Sequence, residues 1–214
     1  MHIPDGFLSA PVALGAFALS GAAGAFAARR IHEDFDERRA PLLGVTAAFV
    51  FAAQMINFPV AAGTSGHAMG AAFASIVLGP YPAFMVMAVV LALQALMFAD
   101  GGVTALGANL LNMGVVCLVL YPLFAAARAP RSRGALLAAS AVYAWLTVVA
   151  AAILCAVELW LSGVVPLSAA LPAMAGVHAI IGAGEAVITA AAVSLTLAAR
   201  PGLVNTATPV EEGA

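Results

Sequence analysis

The feature that most restricts this chain is a near-absence of charge over long stretches. Between Ala40 and Ala127, Asp100 is the one residue with a formal charge. Such a segment cannot build a solvated surface, so lipid must be the solvent for its outward side chains. Composition agrees. The 214 residues are 64% hydrophobic and 8% charged, with a mean hydropathy of +1.07. Soluble domains carry roughly 25% charged residues. The eight basic residues are all Arg and the net charge is −2, which excludes a nucleic-acid-binding surface. Cys117 and Cys155 lie in apolar runs and read as small buried residues.

Apolar runs predict an all-α, polytopic membrane protein with seven transmembrane helices. They fall near 8–28, 41–57, 67–79, 82–98, 104–127, 135–161 and 172–199. The intervening loops are 29–40, 59–66, the turn Gly79-Pro80-Tyr81-Pro82, Asp100-Gly101-Gly102, 128–134 and 162–171. Residues 1–200 form a single transmembrane domain in this reading, and 201–214 a polar carboxyl-terminal tail. Arginine sets the direction. With seven spans and the amino terminus outside, Arg29 to Arg39, Arg128 to Arg133 and Arg200 all fall on the cytoplasmic side. A six-span count, with 67–98 as one helix, puts Arg128 to Arg133 on the wrong face. The carboxyl terminus is then cytoplasmic. The first apolar run is expected to stay with the protein. Its basic residues follow the run instead of preceding it, the reverse of a secretory leader.

An outward amino terminus exposes an unusual donor set. Met1 supplies an α-amine, and His2 a backbone amide and an imidazole Nδ1. One cation bound by all three closes a five-membered and a six-membered ring. The amide must be deprotonated, which requires a strongly polarising late transition metal. Square-planar nitrogen fields suit Ni(II) or Cu(II), and low-spin Co(II) accepts one. Zn²⁺ and Mg²⁺ fit poorly. A fourth donor is offered by His67, which ends the loop Gly63-Thr64-Ser65-Gly66 on the same face. The glycines allow close backbone approach, and Thr64 or Ser65 could fix the imidazole tautomer by a hydrogen bond. Two readings stand: both histidines are polar groups at the interface, or they share a metal.

Glu158, His178 and Glu185 are ionisable residues within the spans, which makes each a functional candidate. His178 and Glu185 are seven residues apart on one helix face. With Asn109 they form a possible polar seam. The simpler reading is interhelical pairing with one another or with Asn109, Asn112 or Gln94. Asp100 reads as a solvated loop residue. An intramembrane metal-dependent enzyme, or a stand-alone proton-coupled carrier, would use Glu158, His178 and Glu185. Enzymatic motifs are otherwise absent. There is no lysine, so no phosphate-binding loop of the Gly-Lys type, and neither H-E-x-x-H nor G-x-S-x-G occurs. The chain is expected to be no enzyme and to have no organic cofactor. It offers a capture device without an engine, which implies partner subunits.

Four stretches carry a family resemblance: MHIPDGFL (1–8), INFPVAAGTSGH (56–67), MFADGGVTALGANLLNMGVV (97–116) and GVHAIIGAGEAVITAA (176–191). They resemble the CbiM/NikM family, the substrate-capture (S) subunits of cobalt and nickel energy-coupling-factor transporters. The resemblance runs from Met1 to about Arg200. It implies a six-helix S-component core with an added amino-terminal helix. Ni²⁺ or Co²⁺ as substrate would be bound by Met1, His2 and His67. Implied partners are a transmembrane coupling (T) subunit, two ATPase subunits and often a small two-helix companion, all in a bacterial or archaeal cytoplasmic membrane. Some cobalt-type members have a cleaved leader and a different loop before the second histidine. This chain resembles the shorter members linked to nickel, which tilts the expected substrate toward Ni²⁺.

Overall fold

The computed structural model describes residues 2–34, 40–55, 57–60, 64–127 and 132–204. Among these, helices dominate. They are α1 (Ala10–Asp34), α2 (Ala40–Gln54), α3 (Ala71–Leu78), α4 (Pro80–Phe98), α5 (Leu106–Ala127), α6 (Arg133–Leu161) and α7 (Leu167–Ala199). Five of them, α1 and α4 to α7, are long and apolar enough to cross a membrane; α2 is a shorter apolar helix of 15 residues. A two-stranded antiparallel hairpin, β1 (Asn57–Val60) and β2 (Thr64–His67), follows α2, with Asn57 opposite His67.

Burial is inverted relative to a water-soluble protein. Leu14, Leu19, Ile180, Val187 and Leu195 face outward, and Ile180 is 77% exposed. Gln54, His67, Gln94, Asn109, Asn112, His178 and Glu185 are buried. Lipid is as apolar as leucine, so outward leucine costs nothing there, while polar groups gain by turning inward to partners. The core is lined by small residues. An added Cβ on Gly107 would sit 2.6 Å from the Phe17 backbone nitrogen, so α1 meets α5 backbone to backbone. Ser20 Oγ donates to the Gly107 carbonyl at 2.7 Å in that contact. Deeper, Tyr143 of α6 donates to the Cys117 carbonyl at 2.8 Å and lies 3.0 Å from Ser75 Oγ, joining α3, α5 and α6.

Helix α1 runs to Asp34, six residues beyond the expected end at 28 and into the expected loop 29–40, and other boundaries differ for local reasons. The expected helix 41–57 ends at Gln54, and the expected loop 59–66 contains the β1–β2 hairpin. The expected helix 67–79 begins at Ala71, because Gly70 turns the chain with φ +70°. A Cβ at Gly70 would lie 3.1 Å from Val50 Cγ2, so the packing against α2 is also tight there. Helix α7 starts at Leu167, five residues early. Pro172 sits within it, forfeiting one backbone bond without stopping the helix. Finally, α5 carries a π-helical stretch, Leu111–Val115, that apolar periodicity does not reveal.

Candidate metal centre

One wall of the site is the extended amino-terminal segment. Residues 2–4 have no helical or strand bonds of their own, so side chains must supply them. Asn109 does so twice. The Ile3 amide donates to Asn109 Oδ1 at 2.7 Å, and Asn109 Nδ2 donates to the Ile3 carbonyl at 3.1 Å. The Gly102 amide donates to the same carbonyl at 2.8 Å. Asp5 Oδ1 accepts from the Thr104 amide at 2.7 Å and from the Thr104 hydroxyl at 2.5 Å. Those bonds hold the Asp5 carboxyl below its ordinary acid range. The side chain of Ile3 is fully buried and adds an apolar anchor. Gly102 cannot be replaced without cost, since a Cβ there would collide with the Asp5 amide and the Pro4 carbonyl carbon.

The second wall is residues 67–70. Glu185 of α7 accepts the Met69 amide at 2.9 Å and the Gly70 amide at 2.7 Å. These are free donors at the start of α3, where a carboxylate acceptor is favoured. Gln54 Nε2 donates to the Met69 carbonyl at 2.7 Å. His67 Nδ1 lies 2.8 Å from the Ala68 carbonyl. A carbonyl only accepts, so Nδ1 carries the proton and Nε2 the lone pair. Burial holds the His67 imidazole well below its ordinary range, with the positive charge of nearby groups acting the same way. A neutral imidazole with its tautomer fixed by a carbonyl is the form that binds a metal ion.

The two walls meet. The His2 and His67 rings stack with centroids 4.5 Å apart and an interplanar angle of 19°. His2 is 3% exposed and His67 is fully buried. His2 Nδ1 lies 3.2 Å from Asp100 Oδ1. The neighbouring imidazole keeps the Asp100 carboxyl below its ordinary range. Asp100 is therefore not the solvated loop residue expected; it flanks His2. Ala99 before it adopts φ +53°, and its neighbour Gly101 has φ +91°. That tight turn points the Asp100 carboxylate back under the amino-terminal segment. Asp100-Gly101-Gly102 was the available signal, as paired glycines beside an acid mark a close backbone approach.

Met1, which the sequence reading places in the site, lies outside the described residues, as does Gly63. Thr64, Ser65 and Gly66 are placed as backbone in β2. The Thr64 and Ser65 side chains, offered a tautomer-fixing role, lie outside what the structure describes; the Ala68 carbonyl lies 2.8 Å from His67 Nδ1. The other polar candidates are dispersed. Asn109 serves Ile3, and Glu185 serves the 69–70 backbone. His178 Nδ1 engages the Met174 carbonyl at 2.8 Å. Glu158 accepts from Asn112 Nδ2 at 2.7 Å, one of the pairings the sequence suggested. The main role missed from sequence is that of Glu185, which builds the second wall through backbone bonds.

Comparison with known proteins places this arrangement. Residues 2–203 match the family model CbiM, the cobalt uptake substrate-specific transmembrane region. A protein of Archaeoglobus fulgidus assigned as a fused nickel transport protein, NikMN, is 41% identical over 209 residues, covering 96% of this chain and 68% of the relative. The fused nickel transport protein NikMN of Rhodobacter capsulatus is 38% identical over 227 residues, covering 95% of this chain and 64% of the relative. The chain thus spans about two thirds of the length of these fused relatives. A crystal structure of a truncated transition metal transporter superposes with a TM-score of 0.83 at 33% identity, covering 93% of this chain and 99% of that one.

Proposed function

Because the chain belongs to the CbiM family of cobalt uptake substrate-specific transmembrane proteins, we propose that it captures Ni²⁺ or Co²⁺ at the His2–His67 site for import across a membrane. The observation that carries this reading is the meeting of two buried imidazoles, 65 positions apart in sequence, with ring centroids 4.5 Å apart. Turning one ring about its side-chain bonds, out of the stack, would bring a nitrogen of each to one cation. The amine of Met1 and the amide and Nδ1 of His2 complete a four-nitrogen plane with His67. Such a plane selects late first-row metals over Zn²⁺ and Mg²⁺. Nickel is favoured over cobalt, in keeping with the relatives of A. fulgidus and R. capsulatus that are named for nickel.

The assembly belongs to the same proposal. Seven helices cross a bacterial or archaeal cytoplasmic membrane, amino terminus outside, with residues 1–200 as the capture domain and 201–214 as a cytoplasmic tail. The chain acts as the S subunit of an energy-coupling-factor transporter. A coupling subunit and two ATPase subunits power release, and a small two-helix companion completes the complex. The last partner is consistent with relatives of the fused type, which extend beyond the region matched here.

The test is metal binding by purified full-length chain. His2→Ala, or one extra residue ahead of Met1, is expected to abolish tight Ni²⁺ binding, read by titration calorimetry and native mass spectrometry. Unchanged metal content in either variant rejects the chelate. The intact mass fixes where the mature chain starts.

A further inference from the structure

The capture site is buried, so a cation needs a way in. A divalent aqua ion arrives with its own water shell, whose strongly polarised hydrogens need oxygen acceptors. Among the described residues several buried oxygens lack hydrogen-bond partners, Gln54 Oε1 and Gln94 Oε1 among them; three others, Ser162 Oγ, Glu158 Oε1 and Asn112 Oδ1, follow one another from the end of α6 onto α5. A buried acceptor without a partner forfeits its hydration, so three in succession call for an explanation.

They are contiguous. Ser162 caps the end of α6 and its amide donates to the Glu158 carbonyl at 3.0 Å, one turn deeper. Glu158 is 4% exposed and joined to Asn112 by the 2.7 Å bond from Nδ2 to Oε2. Asn112 lies one turn from Asn109 on α5, and Asn109 grips Ile3, the residue after His2. Asn112 sits in the π-helical stretch Leu111–Val115, where the wider helix turns its side chains away from the regular α positions.

We propose that Ser162, Glu158 and Asn112 form an entry route that receives the hydrated divalent cation through its water ligands and passes it to the nitrogen site for dehydration. The route rests on the capture reading above. Its oxygen chemistry is suited to holding the aqua ion loosely, and the nitrogen plane to holding the bare ion tightly. Glu158 supplies the attraction. Asn112 anchors one carboxylate oxygen and leaves the other open.

A station on the route changes how fast the ion arrives and leaves, not how tightly it is finally held. Stopped-flow Ni²⁺ association with the full chain in detergent separates the two. Glu158→Gln is expected to slow association at least about tenfold. Dissociation should slow in parallel, leaving the calorimetric Kd within about twofold. Glu158→Asp should recover most of the rate. Association at the wild-type rate overturns the route and leaves ordinary buried water as the occupant of these acceptors. A Kd that worsens in step with association also overturns it, because the residue then shapes the capture site itself. Ser162→Ala, an uncharged change at the rim, provides the same reading if Glu158→Gln fails to fold, with a smaller slowing expected and none overturning the route. Wild-type chain that binds no Ni²⁺, or binds it equally after His2→Ala, sinks the capture reading and the route with it. A rate untouched by Glu158→Gln in a chain that does bind sinks the route alone.

Discussion

The two walls of the site are built on opposite principles. The His67 wall is interior. Its backbone is pinned by Glu185, 116 and 115 positions away from the amides it accepts, and by Gln54. The His2 wall is a tether. It is an extended segment lying on the bundle, held by Asn109 from below and by Gly102 and Thr104 at its margin. The Asp5–Thr104 bonds are exposed to solvent. The difference lies in what holds each imidazole: buried backbone bonds for His67, and side-chain and margin bonds for His2. A fixed imidazole keeps its geometry when no cation is bound. A segment held mainly by side-chain bonds at its margin depends on those few contacts for its place.

The largest expected effect breaks the rigid wall. Glu185→Ala leaves two buried amides without acceptors, at a cost of about 3 kcal/mol. Thermal unfolding in detergent should shift down by several degrees, and Ni²⁺ binding should be lost with it. Glu185→Gln keeps an acceptor and should fall between the two. If Glu185→Ala binds Ni²⁺ normally, the wall does not depend on α7.

A middle-sized effect breaks the tether alone. Gly102→Ala drives a methyl group into the Asp5 amide and Pro4. The helices need not move, so the melting temperature should stay near that of wild type. Ni²⁺ affinity should fall by roughly 10–100-fold, the equivalent of about 1.4–2.8 kcal/mol of lost docking. Equal losses of stability and affinity would show that the two walls are one unit.

The smallest effect sharpens the contrast through pH. The Thr104 hydroxyl, then its amide, hold the folded Asp5 carboxyl below its ordinary value of 3.8. A carboxyl depressed in the folded state stabilises docking fully above that ordinary value. The contribution fades as pH falls through the lower folded value. Amide exchange at residues 3–7, corrected for its intrinsic pH dependence, should rise only below about pH 4. Asp5→Asn should show the raised exchange at every pH, while residues 67–70 stay protected in both. Protection of residues 3–7 that ignores both changes would remove Asp5 from the tether.

Much of this was legible before any coordinates. Runs such as 82–98 and 135–161 have no apolar–polar alternation to misread, so length and hydropathy located α4 and α6 within two residues. Met1-His2 and His67 stood out because imidazoles are costly in a lipid-facing chain and few in number. Less was legible where a partner decides the outcome. The start of α3 depends on Gly70 and on Glu185, a residue more than a hundred positions later. Asp100 looked solvated because the glycines of its loop mark a close approach without saying that residues 2–5 make it. The π-helical stretch leaves no mark on periodicity, since one inserted residue shifts the register less than the variation in an all-apolar run.

The sequence by itself determined the solvent and the reagents. Its charge vacancy demands lipid, because unpaired charge in hydrocarbon is expensive. Its first two residues and His67 carry nitrogen donors by covalent structure. Tertiary structure alone decided that the His2 and His67 imidazoles meet, and which nitrogen of His67 keeps its lone pair. Those are properties of hydrogen bonds between residues far apart in sequence, such as Ile3 with Asn109 and Gly70 with Glu185. Such bonds exist only once packing has excluded water from both partners.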